Sequence, residues 1–369
     1  MKVIQVVPAL FYGDAVGNDI LALDQLLRNA GVKTAIYAGV IGPRIPEGCA
    51  KDLREWKKPG RNDVIIYHMA IVFNRISLIK KARCRKIAIY HNITPPSFFK
   101  GYSETAVALC EEGLNQVKSL NRTFDYCLAD SEFNKQDLIS YGYTCPIDVL
   151  PILIPYEDYR IRPNADVMKR YKGASTNILF VGRVVPNKKH EDLLAVFSLY
   201  KKYYDPDAKL FFIGSFSDTD RYCKRLMSYI DRLGLVDDVI IPGHIGFDEV
   251  LAYYASADAF LCLSEHEGFC VPLIEAMLFE VPIVAYDSCA VGETLGEGGI
   301  LLKEKNFLEI AGLLNRVVHD EALREQIVEN QKRRMKHFRT ERVSALFKRY
   351  FRAFLQGDAV HRKRGIGQD

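Results

Sequence analysis

A chain of 369 residues in which 49% are hydrophobic is long enough for two domains with separate cores, which excludes a disordered scaffold. The formal net charge of +4 is too small to indicate a nucleic-acid partner. The nine cysteines are scattered and odd in number, which argues against a disulfide framework and is typical of a reducing compartment.

The sequence offers no evident targeting, membrane-spanning or metal-binding segment. Its first ten residues, MKVIQVVPAL, are too short in their apolar part for a signal peptide, and no run of roughly 18 apolar residues could span a bilayer. No CxxC pair or Cys/His cluster indicates a metal site. We therefore expect a cytoplasmic protein without a bound metal or cofactor.

One dense basic cluster consists of Lys80, Lys81, Arg83, Arg85 and Lys86. We interpret it first as the solvated end of a helix. The alternative is peripheral contact with an anionic membrane surface, which attracts clustered basic residues. On that alternative the protein would lie at the inner face of the cell membrane.

Short apolar runs alternate with amphipathic segments in the first half of the chain, which is the pattern of a parallel sheet covered by helices on both faces. Strands are predicted at 3–9, 33–39, 63–68, 86–91, 125–130 and 146–150. Helices are predicted near 18–29, 105–120 and 132–141. The following stretch, 151–164, contains three prolines and has no clean period, so we predict an interdomain linker there.

The same alternation resumes after the linker. Strands are predicted at 177–182, 209–214, 238–243, 259–264, 281–286 and 299–302. Helices are predicted at 189–203, 220–233, 247–255 and 271–279, and from 306 to about 356. The predicted fold class is therefore α/β, with two Rossmann-like doubly wound domains facing a central cleft. In such sheets ligands bind outside the carboxyl ends of the strands.

Polar residues and glycines follow two strands of the first predicted domain. Gly13 and Gly17 lie at the turn after the first strand, where a backbone without Cβ can approach a phosphate or sugar, although a plain turn also favours glycine. His91 ends the fourth predicted strand, and Asn92 follows it. We interpret His91 as a substrate contact, with a buried core residue as the alternative.

The second predicted domain opens with a cationic pair. Gly182 and Arg183 directly follow a strand, and Lys188 precedes an amphipathic helix. A guanidinium fork and a mobile ammonium suit a diphosphate, which needs bidentate geometry and a point charge. Backbone N–H groups at Gly214 could reach the same anion. Two solvated bases on a surface turn are the alternative.

The stretch SEHEGFCVPLIEAM, residues 264–277, predicts a strand end, a short loop and a helix entered at Pro272. Glu267 lies in the loop and Glu275 lies one turn into the helix. Because the chain changes from loop to helix between them, the two carboxylates can reach different parts of one elongated ligand. The alternative is that both only cap or pair at the helix start, which acidic residues favour.

Three motifs carry a resemblance to a known family: YHNITPPSFF at 90–99, GRVVPNKK at 182–189, and the stretch 243–277 that contains Glu267 and Glu275. Together they resemble the retaining GT-B glycosyltransferases of family 4. The resemblance implies that residues 1–155 form an acceptor-binding domain and 165–340 a domain that binds the nucleotide-sugar donor. It also implies that a final helix, 341–358, crosses back to the first domain.

The resemblance implies roles for individual residues as well. Arg183 and Lys188 would grip the donor diphosphate, Glu275 would bind the ribose, and Glu267 would bind hydroxyls of the transferred sugar. His91 would face the sugar near the reacting carbon, which with these cations and Glu267 makes the predicted catalytic set. The predicted donor site is completed by Gly13, Gly17, Gly182, Gly214, Ile245, Gly268, Phe269, Cys270 and Val271.

Two positions depart from the family pattern. Lys189 stands where the family often has glycine after the phosphate-binding lysine, and Glu280 stands where glycine usually ends the helix after the second glutamate. A positive φ at Glu280 would be unfavourable by roughly 1 kcal/mol. We therefore expect a different helix ending there and no loss of activity.

The predicted activity is retaining transfer of a hexose from a nucleoside diphosphate sugar to a saccharide or a polyprenyl-diphosphate-linked acceptor in surface polysaccharide assembly. GDP-mannose is the favoured donor because the HNITP stretch resembles mannosyltransferases, with UDP-glucose and dTDP-rhamnose behind it. The predicted acceptor-binding residues are Asn92, Phe98, Phe99 and Tyr102. Neither a metal nor an enzyme nucleophile is expected.

Two other functions stay open from the sequence. A non-hydrolysing nucleotide-sugar epimerase shares the two-domain scaffold, and a catalytically silent nucleotide-sugar sensor would bind the donor without releasing nucleoside diphosphate. A dehydrogenase is disfavoured because residues 11–19 lack a G-x-G-x-x-G run and no acidic residue ends the second predicted strand.

Overall fold

Residues 1–217, 220–243 and 245–357 are described in the computed structural model of the chain. Within them, no helix combines the length and the apolar character needed to cross a membrane.

The first sheet has seven strands, all paired in parallel, in the spatial order β3-β2-β1-β4-β5-β6-β7. Their bounds are β1 Lys2–Leu10, β2 Lys33–Ile41, β3 Lys51–Asp52, β4 Val64–Met69, β5 Arg85–Tyr90, β6 Tyr126–Ala129 and β7 Ile147–Val149. The six predicted strands are present, because buried parallel strands read as continuous apolar runs. The two-residue β3 has no such run, and the sequence analysis missed it.

The second sheet has six parallel strands in the order β10-β9-β8-β11-β12-β13. Their bounds are β8 Asn177–Val181, β9 Lys209–Ile213, β10 Val239–Ile240, β11 Ala259–Cys262, β12 Ile283–Tyr286 and β13 Ile300–Leu302. Each corresponds to a predicted strand. Two parallel, helix-covered sheets confirm the predicted α/β class with two Rossmann-like domains.

The helices that cover the sheets include three that periodicity did not reveal, α2, α5 and α10, all of seven residues or fewer. The bounds are α1 Ala15–Asn29, α2 Ser77–Lys81, α3 Glu104–Ser119, α4 Glu132–Ser140, α5 Ala165–Tyr171, α6 His190–Tyr203, α7 Arg221–Arg232, α8 Phe247–Ser256, α9 Val271–Leu278, α10 Val291–Leu295, α11 Phe307–His319, α12 Glu321–Met335 and α13 Thr340–Gln356.

The chain forms two compact units. The first unit contains Met1–Ile93, Ala108–Pro155 and the described residues from Phe338 onward, and the second contains Thr94–Val107 and Tyr156–His337. The change at Pro155 falls inside the predicted linker, which continues as a short 3₁₀ helix and then α5.

The last helix, α13, packs on the first sheet, as the predicted fold requires. Its apolar face, which includes Phe347 and Phe351, is buried in one core cluster with Val3, Val64 and Ile87 of three neighbouring strands. The predicted end of this helix at 358 lies outside the described residues. Because a 3.6-residue period marks one apolar face, the sequence predicted the helix, whereas its place on the first sheet came only from the family resemblance.

The basic cluster is divided between structural and exposed side chains. The Arg85 guanidinium donates to the carbonyl oxygens of Phe354 at 2.6 Å and Leu355 at 3.2 Å, and so caps the C-terminal end of α13. The Lys86 ammonium donates to the Ala82 carbonyl at 3.0 Å. The other three cations of the cluster are exposed: Lys80, Lys81 and Arg83.

Both departures from the family pattern adopt the backbone conformation that glycine would take. Lys189 has φ 54° and precedes α6, and Glu280 has φ 56° just after α9. The expectation of a different helix ending at Glu280 is therefore wrong. Its carboxylate lies 3.1 Å from the Lys332 ammonium, and the left-handed backbone is unfavourable by about 1 kcal/mol relative to glycine.

The aromatic segment predicted to bind the acceptor from the first domain belongs to the second unit, which corrects its predicted place. The Tyr102 ring makes an edge contact with Tyr222 at 5.3 Å, and its hydroxyl accepts a hydrogen bond from Arg225 at 2.7 Å. The Phe98 ring lies 6.1 Å from the His266 ring. Phe99 lies in the same segment. Ring packing with a sequence-distant helix and loop decides this position.

Candidate functional site

The second sheet changes chain direction between two neighbouring strands, and two predicted site residues lie there. From β8 the chain proceeds outward to β9 and β10 on one side, and β11 lies on its other side. Lys188 belongs to the loop after β8, and Glu267 belongs to the loop after β11. The carboxyl ends of strands at such a switch point form the usual ligand-binding crevice of open α/β sheets.

Lys188 and Glu267 form a short ion pair at this switch point. The Lys188 Nζ lies 2.6 Å from both carboxylate oxygens of Glu267. The two side chains are 17% and 7% exposed, so the pair is largely removed from water. Burial acts to lower the pKa of Lys188, but contact with the Glu267 carboxylate outweighs it and raises the pKa. The pair is therefore a largely buried unit in which Glu267 holds the Lys188 ammonium in place.

Arg183 offers a second cation after the same strand. Its side chain is exposed, and no ion pair with another described residue is found for it. Nearby, a Cβ at Gly214 would lie 2.2 Å from the carbonyl oxygen of Gly182, so only glycine permits the two strand ends to approach this closely. The Val184 N–H joins the same two loops by donating to the Ser215 carbonyl at 3.0 Å.

The end of β11 and the loop before α9 each place one thiol beside Glu267. One ligand atom from each of Cys262, Glu267 and Cys270 lies within 4.8 Å of the others, a grouping that the sequence analysis did not foresee. The Lys188 ammonium already bonds the carboxylate in this group. Cys270 adopts φ 72° immediately before α9, so the loop enters the helix through a left-handed residue. The next residue, Val271, begins the helix, whose amino end is favourable to an anion.

Neighbouring loop residues predicted for the donor site serve the fold as well. Phe269 is 5% exposed, and its carbonyl accepts a hydrogen bond from the Thr294 hydroxyl at 2.5 Å. Gly268 lies between it and Glu267. Ile245 packs, partly buried, against the core of the second unit. Their contact with a donor stays a prediction.

Glu275 is held by two tyrosine hydroxyls. The Tyr159 hydroxyl donates to Oε1 at 2.6 Å, and the Tyr254 hydroxyl donates to Oε2 at 2.7 Å. Burial raises the pKa of Glu275, and these two hydrogen bonds act in the opposite direction. Neither tyrosine is predictable from the sequence, because their positions, 116 and 21 residues away in the chain, carry no local signal.

A polar chain crosses the switch point of the first sheet, between β1 and β4. The Gln5 amide nitrogen donates to the Ile20 carbonyl at 3.1 Å, and its oxygen lies 2.9 Å from His68 Nε2. His68 Nδ1 lies 2.9 Å from His91 Nε2. His91 Nδ1 lies 2.8 Å from the Asp130 carboxylate. The four side chains thus form one buried line.

The direction of donation along this line fixes the protons of His91. Burial lowers the pKa of His68 well below its ordinary value, so His68 is neutral. Because the Gln5 oxygen can only accept, His68 Nε2 carries its proton and Nδ1 accepts from His91. His91 therefore donates through Nε2, and its Nδ1 shares a proton with Asp130. Burial alone would lower the pKa of His91, but the charge and hydrogen bond of Asp130 raise it above its ordinary value.

In this arrangement His91 cannot act as a base toward a sugar. Its side chain is 1% exposed and both ring nitrogens are engaged, so in this state it offers no lone pair to take a proton from a sugar hydroxyl. Asp19 lies nearby: one side-chain oxygen or nitrogen atom from each of Asp19, His68 and His91 lies within 4.8 Å of the other two. Contact of His91 with a sugar stays a prediction and requires this line to open.

The first-domain glycines and Asn92 are explained by the backbone. A Cβ at Gly17 would lie 1.8 Å from the Phe11 carbonyl oxygen, and Gly13 has φ 89°. Asn92 also has a positive φ, 76°, and its amide donates to Asn134 at 2.8 Å. These architectural needs suffice for the residue types, and the predicted ligand contacts stay untested.

His190, at the start of α6, gives the second unit an acid-sensitive core. It is 0% exposed, its ring packs edge-on against Phe180 and Phe212, and neither ring nitrogen has a hydrogen-bond partner among the described residues. Burial lowers its pKa to about 3. Between pH 3 and 6.5, His190 is protonated in the unfolded chain but neutral in the folded protein. The free energy of unfolding is therefore unaffected by His190 above pH 6.5 and falls as the pH drops below that value.

We expect His190→Leu to reduce the acid loss of stability. The free energy of unfolding is measured by urea titration at pH 7.5 and at pH 5. Its decrease between the two pH values should be smaller in the variant than in the wild type by about 2 kcal/mol. His319→Leu, at the exposed end of α11, is the control and should keep the wild-type loss. An identical loss in wild type and His190→Leu would contradict the assignment.

Comparison with known proteins bears on the second unit most directly. Residues 168–334 match the family model described as Glycosyl transferases group 1. The chain is 27% identical over 191 residues to the capsular polysaccharide biosynthesis glycosyltransferase CapM of Staphylococcus aureus, covering 50% of this chain and 48% of that protein. It is 26% identical over 219 residues to O-antigen chain mannosyltransferase B of Escherichia coli, covering 56% of each. The chain thus spans about half the length of the curated relatives it matches.

A solved structure extends the similarity over nearly the whole chain. Anabaena Alr3699/HepE in complex with UDP-glucose aligns with a TM-score of 0.73 at 18% identity, covering 96% of this chain and 100% of that one. At this identity the likeness shows the fold, two parallel-sheet α/β domains of the GT-B type. The matched family model and the glycosyltransferase relatives make the second unit similar to the glycosyl transferases of group 1.

Proposed function

We propose that the protein is a retaining hexosyltransferase that moves a sugar from a nucleoside diphosphate donor to a hydroxyl of a saccharide or lipid-linked saccharide. The observation that carries the proposal is the Lys188–Glu267 pair at the switch point of the second sheet, with Arg183 exposed after the same strand. The pair lies inside the stretch 168–334 that matches the glycosyl transferase family.

The chemistry asked of these residues is mainly electrostatic. A glycosyl diphosphate already carries a good leaving group, so the site must stabilise negative charge on the departing phosphate and hold the acceptor in place. Arg183 supplies a bidentate guanidinium, and Lys188 supplies a point charge whose position Glu267 fixes. Glu267 has further lone pairs with which to accept hydroxyl groups of the sugar.

Retention is assigned without an enzyme nucleophile, by attack on the face from which the diphosphate departs. His91 fits this assignment because its nitrogens are committed within the Gln5–Asp130 line and it presents no base. We propose that the two cations make a divalent metal unnecessary. Turnover should then persist in excess EDTA, and a loss that Mg²⁺ or Mn²⁺ restores would contradict that part.

A donor panel tests the proposal. GDP-mannose, UDP-glucose and dTDP-rhamnose are incubated with the protein, and released nucleoside diphosphate is measured. Mannose is favoured because one relative is a mannosyltransferase and because the HNITP stretch, 91–95, resembles mannosyltransferases. Interconversion of donor without release, seen by NMR, would instead identify an epimerase. Tight binding of a donor with neither release nor interconversion would identify a sensor.

The acceptor is proposed to be a polyprenyl-diphosphate-linked saccharide at the cytoplasmic membrane face in surface polysaccharide assembly. The support is the exposed basic group Lys80, Lys81 and Arg83, which can contact anionic lipid.

Alanine at Lys80, Lys81 and Arg83 together should release the protein from vesicles containing phosphatidylglycerol in a flotation assay. Each cation near the surface contributes about 1 kcal/mol of attraction, so the loss should be large at low salt. A triple variant at three exposed cations at the C-terminal end of α12 and just beyond it, Lys332, Arg333 and Lys336, serves as the charge-matched control. Unchanged flotation of the first variant would remove the membrane from the proposal.

A further inference from the structure

We propose that Tyr159 is a specificity-determining residue that competes with the donor ribose for Glu275. The inference rests on the proposed function, in which Glu275 binds the ribose of a nucleotide sugar. The Tyr159 hydroxyl donates to one carboxylate oxygen of Glu275 at 2.6 Å, and the Tyr254 hydroxyl donates to the other at 2.7 Å.

The two tyrosines reproduce the chemistry of a ribose. A ribose 2′,3′-diol presents two neighbouring O–H donors, and the natural acceptor for such a pair is one carboxylate with an oxygen for each hydroxyl. Tyr159 and Tyr254 supply the same two donors to Glu275. Glu275 is partly exposed as a residue, whereas Tyr254 beside it is fully buried. A nucleotide that binds here must therefore share or displace at least one tyrosine hydroxyl.

Tyr254 is poorly placed to move. It is 0% exposed in the core of the second unit, and its ring stacks on Phe279 at 5.4 Å and on Phe260 at 6.3 Å. Moving it would open a cavity in a close-packed core. Tyr254 is thus a positioning residue that holds Glu275.

Tyr159 is placed differently. It lies in the short 3₁₀ helix Tyr156–Arg160, is partly exposed, and is not part of the core cluster of the second unit. Its ring meets Phe247, the first residue of α8, edge-on at 5.2 Å. Because Tyr159 is partly exposed and lies outside that core cluster, its side chain can turn away with less disturbance of the core than Tyr254 can. Tyr159 is therefore the hydroxyl that a ribose displaces.

This exchange predicts a measurable penalty on donor binding. Because the fraction of protein with Glu275 open is less than one, the apparent dissociation constant of a ribonucleotide is raised by the inverse of that fraction. Phenylalanine at position 159 keeps the contact with Phe247 but cannot donate to Glu275. Removing the competitor should tighten ribonucleotide binding, whereas loss of a merely structural hydrogen bond would weaken it.

The experiment compares ribonucleotides with analogues that lack the diol. Binding of GDP, UDP and their 2′,3′-dideoxy forms is measured by calorimetry for wild type, Tyr159→Phe, Tyr254→Phe and Tyr203→Phe. Tyr203 is 55% exposed and controls for the loss of a surface hydroxyl. We expect Tyr159→Phe to bind the preferred ribonucleotide roughly threefold to tenfold more tightly, with unchanged binding of the dideoxy form. Tyr254→Phe should weaken the ribonucleotide, and Tyr203→Phe should change nothing.

The possible failures are distinguishable. If wild type prefers the ribonucleotide but Tyr159→Phe binds it equally or more weakly, the competition is wrong and the ribose assignment stands. If wild type binds the ribo and dideoxy forms equally, Glu275 does not read the diol and both assignments fall. If no nucleoside diphosphate binds, the proposed function itself fails. Thermal unfolding of each variant confirms that the protein compared is folded.

Discussion

Replacing Lys188 by alanine should lower turnover by roughly 10²- to 10³-fold and also destabilise the second unit. Loss of one preorganised charge that faces a developing negative charge typically slows reactions by that factor. The stability effect arises because the Glu267 carboxylate, 7% exposed, loses the ammonium that contacts both of its oxygens. Breaking a buried ion pair by removing one partner is unfavourable by about 3 kcal/mol. Turnover of the preferred donor and the urea unfolding midpoint measure the two effects.

A double variant separates the two effects. Lys188→Met combined with Glu267→Leu removes both charges and keeps similar volume, and such replacements of buried pairs are often neutral for stability. The unfolding midpoint should return toward wild type while turnover stays at the level of Lys188→Ala. Recovery of turnover in the double variant would show that the pair only supports the fold.

Replacing Arg183, unlike replacing Lys188, should leave the stability of the protein almost unchanged. Arg183→Ala is expected to reduce turnover by about 10²-fold and weaken binding of nucleoside diphosphate, because the guanidinium fork is proposed to contact the diphosphate directly. Its side chain is exposed, so the free energy of unfolding should change by no more than about 0.5 kcal/mol. Arg183→Lys should recover only part of the rate, since lysine keeps the charge without the fork.

The control for this prediction is Arg316→Ala, at an exposed arginine of α11 whose side chain is 67% accessible. It removes the same charge and should leave turnover unchanged. If Arg183→Ala retains turnover within a few-fold of wild type, the phosphate assignment is wrong. Steady-state kinetics with the donor identified by the panel measure both variants.

The predicted positions of Arg183, Lys188 and Glu267 after strands agree with the structure. Each follows a strand whose continuous apolar run is visible in the sequence, and parallel strands present their carboxyl ends at one edge. Asp130 obeys the same rule, because it directly follows β6, and its role in the His91 line could have been suspected from the DYCLAD segment. That Asp130 pairs with His91 could not be predicted, because the sequence does not show which strand ends lie next to each other.

The sequence misplaced or missed features that depend on contacts between distant segments. The segment with Phe98 and Tyr102 was assigned to the first domain by its position in the chain, yet ring packing makes it part of the second unit. The positive φ of Glu280 was unexpected because the isolated residue disfavours it. The surrounding packing supplies the energy that overrides such local preferences, and that energy is invisible to a local pattern.

By itself, the sequence determined the two parallel sheets and the charged residues that follow their strands. These follow from apolar periodicity and from residue types, both of which are local properties. Only the tertiary structure decided that Lys188 pairs with Glu267, that His91 is closed between His68 and Asp130, and that Tyr159 occupies Glu275. Each of these partners is brought in from a distant part of the chain, because burial requires polar groups to find hydrogen-bond partners wherever the fold places them.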